Sequence, residues 1–265
     1  MNKIWQTTRF TLDLQQPKIM GIVNLTPDSF SDGGTYSQTV KAACNHAEQL
    51  LRDGADILDI GGESTRPNAS VVTPQEEWQR VRDVLAEVSR WNVPISLDTR
   101  RTSVMQQALE DAGAVALLAQ QPQTGICLMH MKGTPSTMQS QAAYQNVVQE
   151  VYDYLQQRQA ACTLAGIAPE RIVWDMGFGF AKNLQHNQAI MQNLRQFDQR
   201  PVLVGVSRKR MIGEITEREQ ARERVSGSVA AALFAYTQGA AILRVHDVRE
   251  TVDALKVWRF LQSGL

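Results

Sequence analysis

Short apolar runs alternate with helical patterns along almost the whole of this 265-residue chain, and this alternation constrains the fold more than any other feature. Alternating strands and helices are typical of βαβ units, which build a parallel sheet. We find no Pro/Ser-rich linker, so we predict a single domain over residues 1–265. After an N-terminal hairpin over 4–14, strands are predicted at 18–23, 57–60, 94–97, 126–131, 172–174, 202–206 and 241–245.

Helices are predicted between these runs. The sequence Thr73-Pro-Gln-Glu76 is a capping box with proline at the first helical position, and it predicts a helix from there to about residue 89. Gly54 is placed where a helix over 37–51 would need a C-terminal glycine. Further helices are predicted at 103–109, 144–165, 226–237 and 248–261.

Each apolar run ends on a polar side chain that could take part in chemistry. These strand-end residues are Asn24, Asp59, Asp98, His130, Asp175, Ser207 with Lys209, and Arg244 with His246. In a (β/α)8 barrel the carboxyl ends of all strands converge on one mouth, where active sites lie. A doubly wound open sheet would instead be expected to have a glycine-rich first turn, and the pairs 33–34 and 61–62 lack that spacing. We therefore predict a TIM-type barrel of the α/β class.

The spacing of the strand ends indicates that one strand is missing or degenerate. Consecutive strand-end residues are 32 to 45 positions apart, enough for one helix each, and only seven strands are clear. A complete barrel needs eight. We expect the vacancy at the fourth strand, between Asp98 and His130. The only candidate there is Ala114–Ala119, which fits a helix equally well.

The composition of the chain indicates which partners it can bind and in which cellular compartment it is expected. With 27 basic and 27 acidic residues the net charge is zero, so we expect no nucleic-acid or anionic-membrane surface. No apolar run approaches the roughly 18 residues of a membrane span, and the first residues lack a signal-peptide core. Three cysteines without CxxC spacing fit a reducing cytoplasm better than a disulfide framework or a zinc site.

Seven segments, in order, together resemble the dihydropteroate synthase family. They are residues 20–34, 58–67, 95–99, 127–133, 175–183, 204–213 and 244–248, and they cover most of the chain. The resemblance implies a transferase of folate biosynthesis. Such an enzyme condenses 6-hydroxymethyl-7,8-dihydropterin diphosphate with 4-aminobenzoate, giving 7,8-dihydropteroate and diphosphate. It also implies Mg²⁺ as cofactor and a homodimer through the late helices.

The resemblance assigns roles to residues that single-residue arguments leave open. It assigns Asp98 and Asp175 to the pterin, although a strand-end aspartate can simply cap a helix. It assigns Lys209 to the pterin carbonyl side and Ser207 to the aminobenzoate, although such a lysine is usually a solvated loop charge. Phe180 and Met129 would supply apolar walls, unless they are plain core. Asp59 completes the predicted substrate-binding set on the strands.

Anion handling is predicted for Arg244, His246 and Asn24. Arginine suits phosphate and histidine can donate to it. The resemblance makes Asn24 the protein ligand of a Mg²⁺ shared with the diphosphate, and we expect Lys209, Arg244 and His246 to be catalytic. Two loops, 26–34 and 61–69, would close over the substrates and exclude water. The resemblance places four of their residues at the substrates: Phe30, Thr65, Arg66 and Pro67.

The expected reaction needs no side-chain nucleophile. Diphosphate leaves the pterin methylene, the anion-handling residues stabilise its charge, and the neutral amine of 4-aminobenzoate attacks the resulting cation.

The chain departs from the family in one place. The family's fourth strand ends in an Asn-Asp pair, and no asparagine occurs between Thr99 and Met129; Met176 and Ala181 replace the usual proline and glycine. A catalytically impaired or non-enzymatic relative is therefore an alternative, and a pterin-dependent methyltransferase is another. The Ser207–Lys209 triplet with the Arg244/His246 pair favours diphosphate chemistry.

Overall fold

The computed structural model describes residues 3–25, 36–63, 72–99, 101, 103–104, 123–133 and 138–262. Their strands are β1 (Ile4–Gln6), β2 (Thr11–Asp13), β3 (Lys18–Asn24), β4 (Ile57–Gly61), β5 (Ile95–Asp98), β6 (Ile126–Met129), β7 (Ile172–Asp175), β8 (Val202–Val204) and β9 (Ile242–Val245). Their α-helices are α1 (Tyr36–Arg52), α2 (Pro74–Val88), α3 (Val147–Leu164), α4 (Leu184–Gln192), α5 (Arg210–Thr216), α6 (Val225–Thr237) and α7 (Val248–Gln262).

Seven of the described strands form one parallel sheet in the order β5-β4-β3-β9-β8-β7-β6. Strand β3, which comes first of the seven along the chain, pairs with β9, which comes last, and Met20 lies opposite Arg244. Helices follow the strands, as the alternation in the sequence predicts. The arrangement is the curled sheet of an α/β barrel, and it brings the carboxyl ends of the seven strands to one face.

The position expected for the fourth strand falls between β5 and β6, the two outer strands of this sheet. The candidate segment 114–119 lies outside the described residues. The predicted helix over 103–109 also lies outside them from residue 105 onward. Seven strands are therefore observed where the sequence predicts seven. The vacancy stays a prediction.

The N-terminal hairpin packs against the amino ends of the barrel strands, opposite the predicted mouth. Trp5 and Leu12 belong to a buried cluster with Met20, Ile57 and Ile242. The Trp5 indole Nε1 also donates a hydrogen bond to the carbonyl of Arg171 at 3.0 Å. Because the indole is both buried and hydrogen-bonded, it fixes the hairpin over this end of the barrel.

Most predicted boundaries differ from the observed ones by only a few residues. The predicted capping box is confirmed: Thr73 Oγ1 accepts from the backbone N–H of Glu76, and the Glu76 carboxylate accepts from that of Thr73. Helix α3 starts at Val147 and not at residue 144, because the Asn146 side chain caps the N–H of Gln149. None of the described helices is long and apolar enough to cross a membrane.

Candidate active site

A cavity of about 750 Å³ opens at the carboxyl ends of the sheet strands. Residues at the carboxyl ends of β3, β5 and β9, or shortly after β4, β7, β8 and β9, line it, as expected for the mouth of a barrel. Seven of the residues predicted from the sequence to form the site are in its wall: Asn24, Asp98, Phe180, Ser207, Lys209, Arg244 and His246. Six of these seven, all but Phe180, are strand-end residues, and the cavity brings them to one mouth, whereas the role of each stays a prediction.

Arg244 joins three strands of the barrel through two carboxylates. Its Nε donates to Asp59 Oδ2 at 2.7 Å, and its Nη2 lies 2.6 Å from Asp98 Oδ2. Burial alone would lower the pKa of the guanidinium, but the two carboxylates outweigh it and raise the pKa. The arginine is thus fixed and permanently charged.

Arg244 and Asp98, which the resemblance assigns to different parts of the substrate, are paired with each other in the structure. The resemblance assigns Arg244 to an anion and Asp98 to the pterin, as separate groups. In the structure the two are bonded to each other, and Asp59 lies buried behind them, outside the cavity wall. Removal from bulk water raises the pKa of Asp98; Arg244 opposes this rise and the neighbouring Asp59 adds to it.

Lys209 extends across the cavity from the end of β8 to the loop after β7. Its Nζ donates to the carbonyl of Phe178 at 2.7 Å and lies 4.9 Å from the centre of the Phe180 ring. Burial lowers the pKa of this lysine to about 8, against the attraction of Asp175. Burial likewise raises the pKa of Asp175, whose Oδ1 accepts from the N–H of Gly177 at 2.8 Å. An ammonium and an aromatic ring therefore lie together on one side of the mouth, and the Asp175 carboxylate acts electrostatically on that ammonium.

Ser207 and His246 connect the ends of β8 and β9. The Ser207 Oγ accepts from the backbone N–H of His246 at 3.1 Å and lies 3.1 Å from the His246 Nδ1. Strand β9 ends at Val245, so His246 is the first residue beyond it. His246 and Arg244 both line the cavity.

A buried lysine that the sequence predictions do not include holds the loop after β7. Lys182 is 3% exposed, and its Nζ contacts His130 Nδ1 at 2.9 Å and the carbonyls of Gly177 and Phe180 at 3.0 Å each. Burial lowers the pKa of Lys182 to about 7, and burial with the nearby lysine charge lowers the pKa of His130 to about 3. The His130 imidazole is thus neutral at physiological pH.

Glycine is required at one position of the same loop. Gly177 has a φ of +65°, and a Cβ there would lie 1.9 Å from the carbonyl oxygen of His130. The loop therefore packs directly against the end of β6. This close approach brings Phe178 and Phe180 to the positions where Lys209 contacts them.

Several predicted residues lie elsewhere. Met129 is half-buried at the end of β6, and Asp175 is the last residue of β7; neither is in the cavity wall. The four loop residues Phe30, Thr65, Arg66 and Pro67 lie outside the described residues. Among the cavity-lining residues that the sequence predictions do not include are three charged ones, Glu63, Lys182 and Arg208. All three lie inside family-like segments, and Arg208 stands between two predicted residues, but nothing in the sequence marks the burial of Lys182.

Residues 20–246 match the family described as "Pterin binding enzyme". A dihydropteroate synthase from Neisseria meningitidis serogroup B is 59% identical, over 99% of this chain and 99% of the relative; the Escherichia coli K12 dihydropteroate synthase is 45% identical, over 93% and 92%. The chain belongs to the dihydropteroate synthase family. A solved Xanthomonas albilineans dihydropteroate synthase with 4-aminobenzoic acid has a TM-score of 0.90 and 43% identity, covering 100% of both chains. The resemblance seen in the sequence and the barrel class are thereby confirmed, and the chain is a transferase of this family.

The donor set of the site decides what kind of metal it could hold. No cluster of three or more His, Cys, Asp or Glu side chains able to bind a metal occurs in the described part of the chain. A site that supplied most ligands to a transition metal would need such a cluster. A magnesium ion needs fewer protein ligands, because it keeps water molecules and takes oxygens from substrate phosphates. The Asn24 amide in the cavity wall supplies a ligand of the required oxygen type.

Proposed function

We propose that the cavity at the mouth of this barrel makes 7,8-dihydropteroate from 6-hydroxymethyl-7,8-dihydropterin diphosphate and 4-aminobenzoate. A solved relative from Xanthomonas albilineans is described in complex with 7,8-dihydropteroate, with 42% identity to this chain and a TM-score of 0.86 over 99% and 100% of the two chains. The observation that carries the proposal is the convergence of Lys209, Arg244 and His246 on one cavity. Three cationic or hydrogen-donating groups in one mouth suit a diphosphate leaving group.

We propose that the pterin lies among Asp98, Asp175, Lys209 and Phe180. The two carboxylates, whose pKa values are raised by burial, are stabilised by partners that donate hydrogen bonds, which the amidine-like edge of a pterin offers in pairs. The Lys209 ammonium can donate to the pterin carbonyl, and the ring of Phe180 can stack on a flat heterocycle. Asp59 contributes through Arg244, which it holds in place. Met129 adds apolar surface at the end of β6.

The diphosphate is assigned to Arg244, His246 and Asn24. The C–O bond between the pterin methylene and the diphosphate breaks, and its electron pair leaves with the diphosphate. The charges of this chain that face the leaving group are fixed before the reaction, since Arg244 is held by two carboxylates and His246 by Ser207. Preorganised charge of this kind usually lowers the activation barrier more than any other single effect in an enzyme.

The aminobenzoate is assigned to Ser207 and to the four loop residues Phe30, Thr65, Arg66 and Pro67. Its neutral amine forms the new C–N bond to the methylene, and the nitrogen then loses one proton. We propose that the two loops exclude water at this step, because water would otherwise capture the cation.

We propose that Mg²⁺ binds with Asn24 as its protein ligand. The ion would supply positive charge to the diphosphate oxygens. Asn24 lines the same cavity as Arg244 and His246, so its amide oxygen can face the diphosphate.

We propose a homodimer that forms through the late helices, and a cytoplasmic location. Phe234 on α6 and Val257, Phe260 and Leu261 on α7 are large apolar side chains that the described chain leaves exposed. Exposed apolar surface of this kind is typical of protein interfaces. All three cysteines are unpaired, which supports a reducing compartment. One pterin-binding barrel spanning residues 1–265 accounts for these features.

Diphosphate release, measured with and without 4-aminobenzoate and with and without Mg²⁺, tests the proposal. We expect release that requires both. Diphosphate release at the same rate with and without 4-aminobenzoate would contradict the assigned second substrate. Diphosphate release that continues in the presence of a metal chelator would contradict the assignment of Mg²⁺. A folded sample with no release would support the impaired or non-enzymatic alternative that the missing fourth-strand asparagine raises.

A further inference from the structure

The middle residue of the Ser207-Arg208-Lys209 triplet has an unusual backbone. Arg208 has a φ of +57°, in the left-handed region that residues other than glycine seldom adopt. Such a conformation is energetically unfavourable and persists only where the surroundings impose it, most often at functional sites. Arg208 lies between two residues that the proposed function uses.

Three separate contacts hold Arg208 in this conformation. Its backbone N–H donates to the Ser228 Oγ at 2.8 Å, and its carbonyl accepts from Arg224 Nη1 at 3.0 Å. Its guanidinium donates to both carboxylate oxygens of Asp247, with Nε lying 3.0 Å from Oδ2. Ser228 and Asp247 are both buried. A bidentate arginine–carboxylate pair fixes direction as well as distance.

Asp247 is itself anchored and lies next to His246. Its carbonyl accepts from the backbone N–H of Thr251 at 3.1 Å and from the Thr251 Oγ1 at 2.7 Å, in the first turn of α7. The ends of β8 and β9 are therefore joined by two adjacent crosslinks, one between Ser207 and His246 and one between Arg208 and Asp247.

The second crosslink also determines where Lys209 begins. The left-handed residue before it reverses the chain, and the N–H of Lys209 donates back to the carbonyl of Val206 at 3.1 Å. From this tight turn the lysine side chain extends to the carbonyl of Phe178. A change in the backbone of Arg208 would swing the lysine away from that contact.

We propose that Arg208 and Asp247 are positioning residues, a clamp that holds Lys209 and His246 in their reactive places without contacting the reacting atoms. Because it assigns the clamp to the chemistry of dihydropteroate formation, this inference rests on the proposed function. Asp247 is not in the cavity wall, so a change at this position tests the clamp and not a substrate contact. Small displacements of groups at a reacting centre can lower the rate by about a hundredfold.

The diagnostic readout is the pKa of Lys209. The groups that act on its ammonium are Asp175 from β7, Arg244 from β9 and Asp98 from β5, together with burial, which dominates and lowers its pKa to about 8. If the clamp is loosened and the lysine reaches water, its pKa rises towards the ordinary 10.5. Removing the negative charge of Asp247 without movement would instead lower the pKa of a nearby lysine. The two outcomes have opposite signs.

The experiment compares Asp247→Asn with Asp53→Asn in the full chain. Asp53 is the control because it also pairs with an arginine: its Oδ1 lies 2.7 Å from Arg249 Nη2. Neither Asp53 nor Arg249 is in the cavity wall. Competitive acetylation read by mass spectrometry gives the pKa of Lys209 in the free protein, without turnover, and steady-state kinetics gives kcat and KM. For Asp247→Asn we expect the Lys209 pKa to rise by about one unit or more, and kcat to fall about tenfold or more with KM values within about threefold. Asp53→Asn changes neither.

An unchanged or lowered pKa of Lys209 in a folded Asp247→Asn protein would overturn the clamp, as would an effect on KM alone. If Asp247→Asn does not fold, Arg208→Lys is judged by the same two readouts, because it keeps the charge and removes the bidentate geometry. A raised Lys209 pKa in a protein that shows no 4-aminobenzoate-dependent turnover would contradict the proposed function and leave the clamp standing.

Discussion

The mouth of the barrel depends on charged side chains that are held away from water. Arg244 is balanced by Asp59 and Asp98, whereas Lys182 is surrounded by carbonyls and the neutral His130. A buried charge is tolerated only with such partners. The lysines of this site are accordingly closer to losing their protons at neutral pH than ordinary lysines are.

Lys209 gives the pH dependence of the reaction a predictable form. Its pKa of about 8 means that the ammonium is lost as pH rises through 8, so we expect kcat/KM of the wild-type protein to fall above that pH. An arginine stays charged throughout this range. In Lys209→Arg we therefore expect lower activity overall but no fall near pH 8, measured as kcat/KM between pH 6 and 10. The same alkaline limb in both proteins would show that another group causes it.

Ala181 tests the strain in the loop after β7. It has a φ of +52°, in the left-handed region, and its side chain is fully buried. We expect Ala181→Gly to change the free energy of unfolding by no more than about 1 kcal/mol, because relief of strain is offset by the greater freedom of glycine in the unfolded chain. Ala181→Val should destabilise by about 2 kcal/mol or more, since a β-branched residue fits this region poorly. Urea unfolding measures both, and equal stability of the two variants would contradict the conformation.

At the scale of elements, the helices and strands that line the cavity differ from those that only stabilise the barrel. Helix α2 and the N-terminal hairpin contribute no residue to the cavity wall, whereas the segments that follow β7, β8 and β9 contribute most of it. In barrel enzymes the carboxyl ends of the strands carry function, and the opposite end carries stability.

The capping box of α2 provides the test of that separation. Thr73→Ala removes the side-chain acceptor of the Glu76 N–H, so we expect the free energy of unfolding to fall by about 1 kcal/mol with kcat and KM unchanged. Ser89→Ala at the other end of the helix is the control, since its exposed hydroxyl only donates to the carbonyl of Ala86 and should cost less than about 0.5 kcal/mol. A change in KM for either variant would mean that α2 does affect the mouth.

The sequence was sufficient for the features that depend on local pattern. Thr73 and Glu76 stand at capping-box spacing, and the apolar runs with polar ends mark the seven strands together with the residues at their carboxyl ends. It was insufficient for pairs made by distant parts of the chain. Arg244 and Asp59 are 185 residues apart, and nothing local distinguishes the buried Lys182 from a solvated lysine.

At the scale of the whole molecule, β3 and β9, the first and last of the seven strands along the chain, pair with each other. This pairing brings Asn24, Arg244 and His246 into one cavity. No asparagine occurs between Thr99 and Met129, where the resemblance to the family predicts one at the end of a fourth strand. One lost hydrogen bond to a substrate would cost on the order of 1–3 kcal/mol. A loss of that size slows an enzyme without abolishing its reaction.

The most direct test of the proposed activity is the formation of 7,8-dihydropteroate itself, detected by mass spectrometry after incubation with the pterin diphosphate, 4-aminobenzoate and Mg²⁺. Arg244→Met is the diagnostic variant, and Arg249→Met, which removes an exposed guanidinium outside the cavity wall, is its control. We predict product with the wild-type protein and the control, and at least about a hundredfold less with Arg244→Met, because removal of a preorganised charge at the leaving group costs about this much. Absence of product from a folded wild-type sample, or equal rates in the two variants, would contradict the proposed activity.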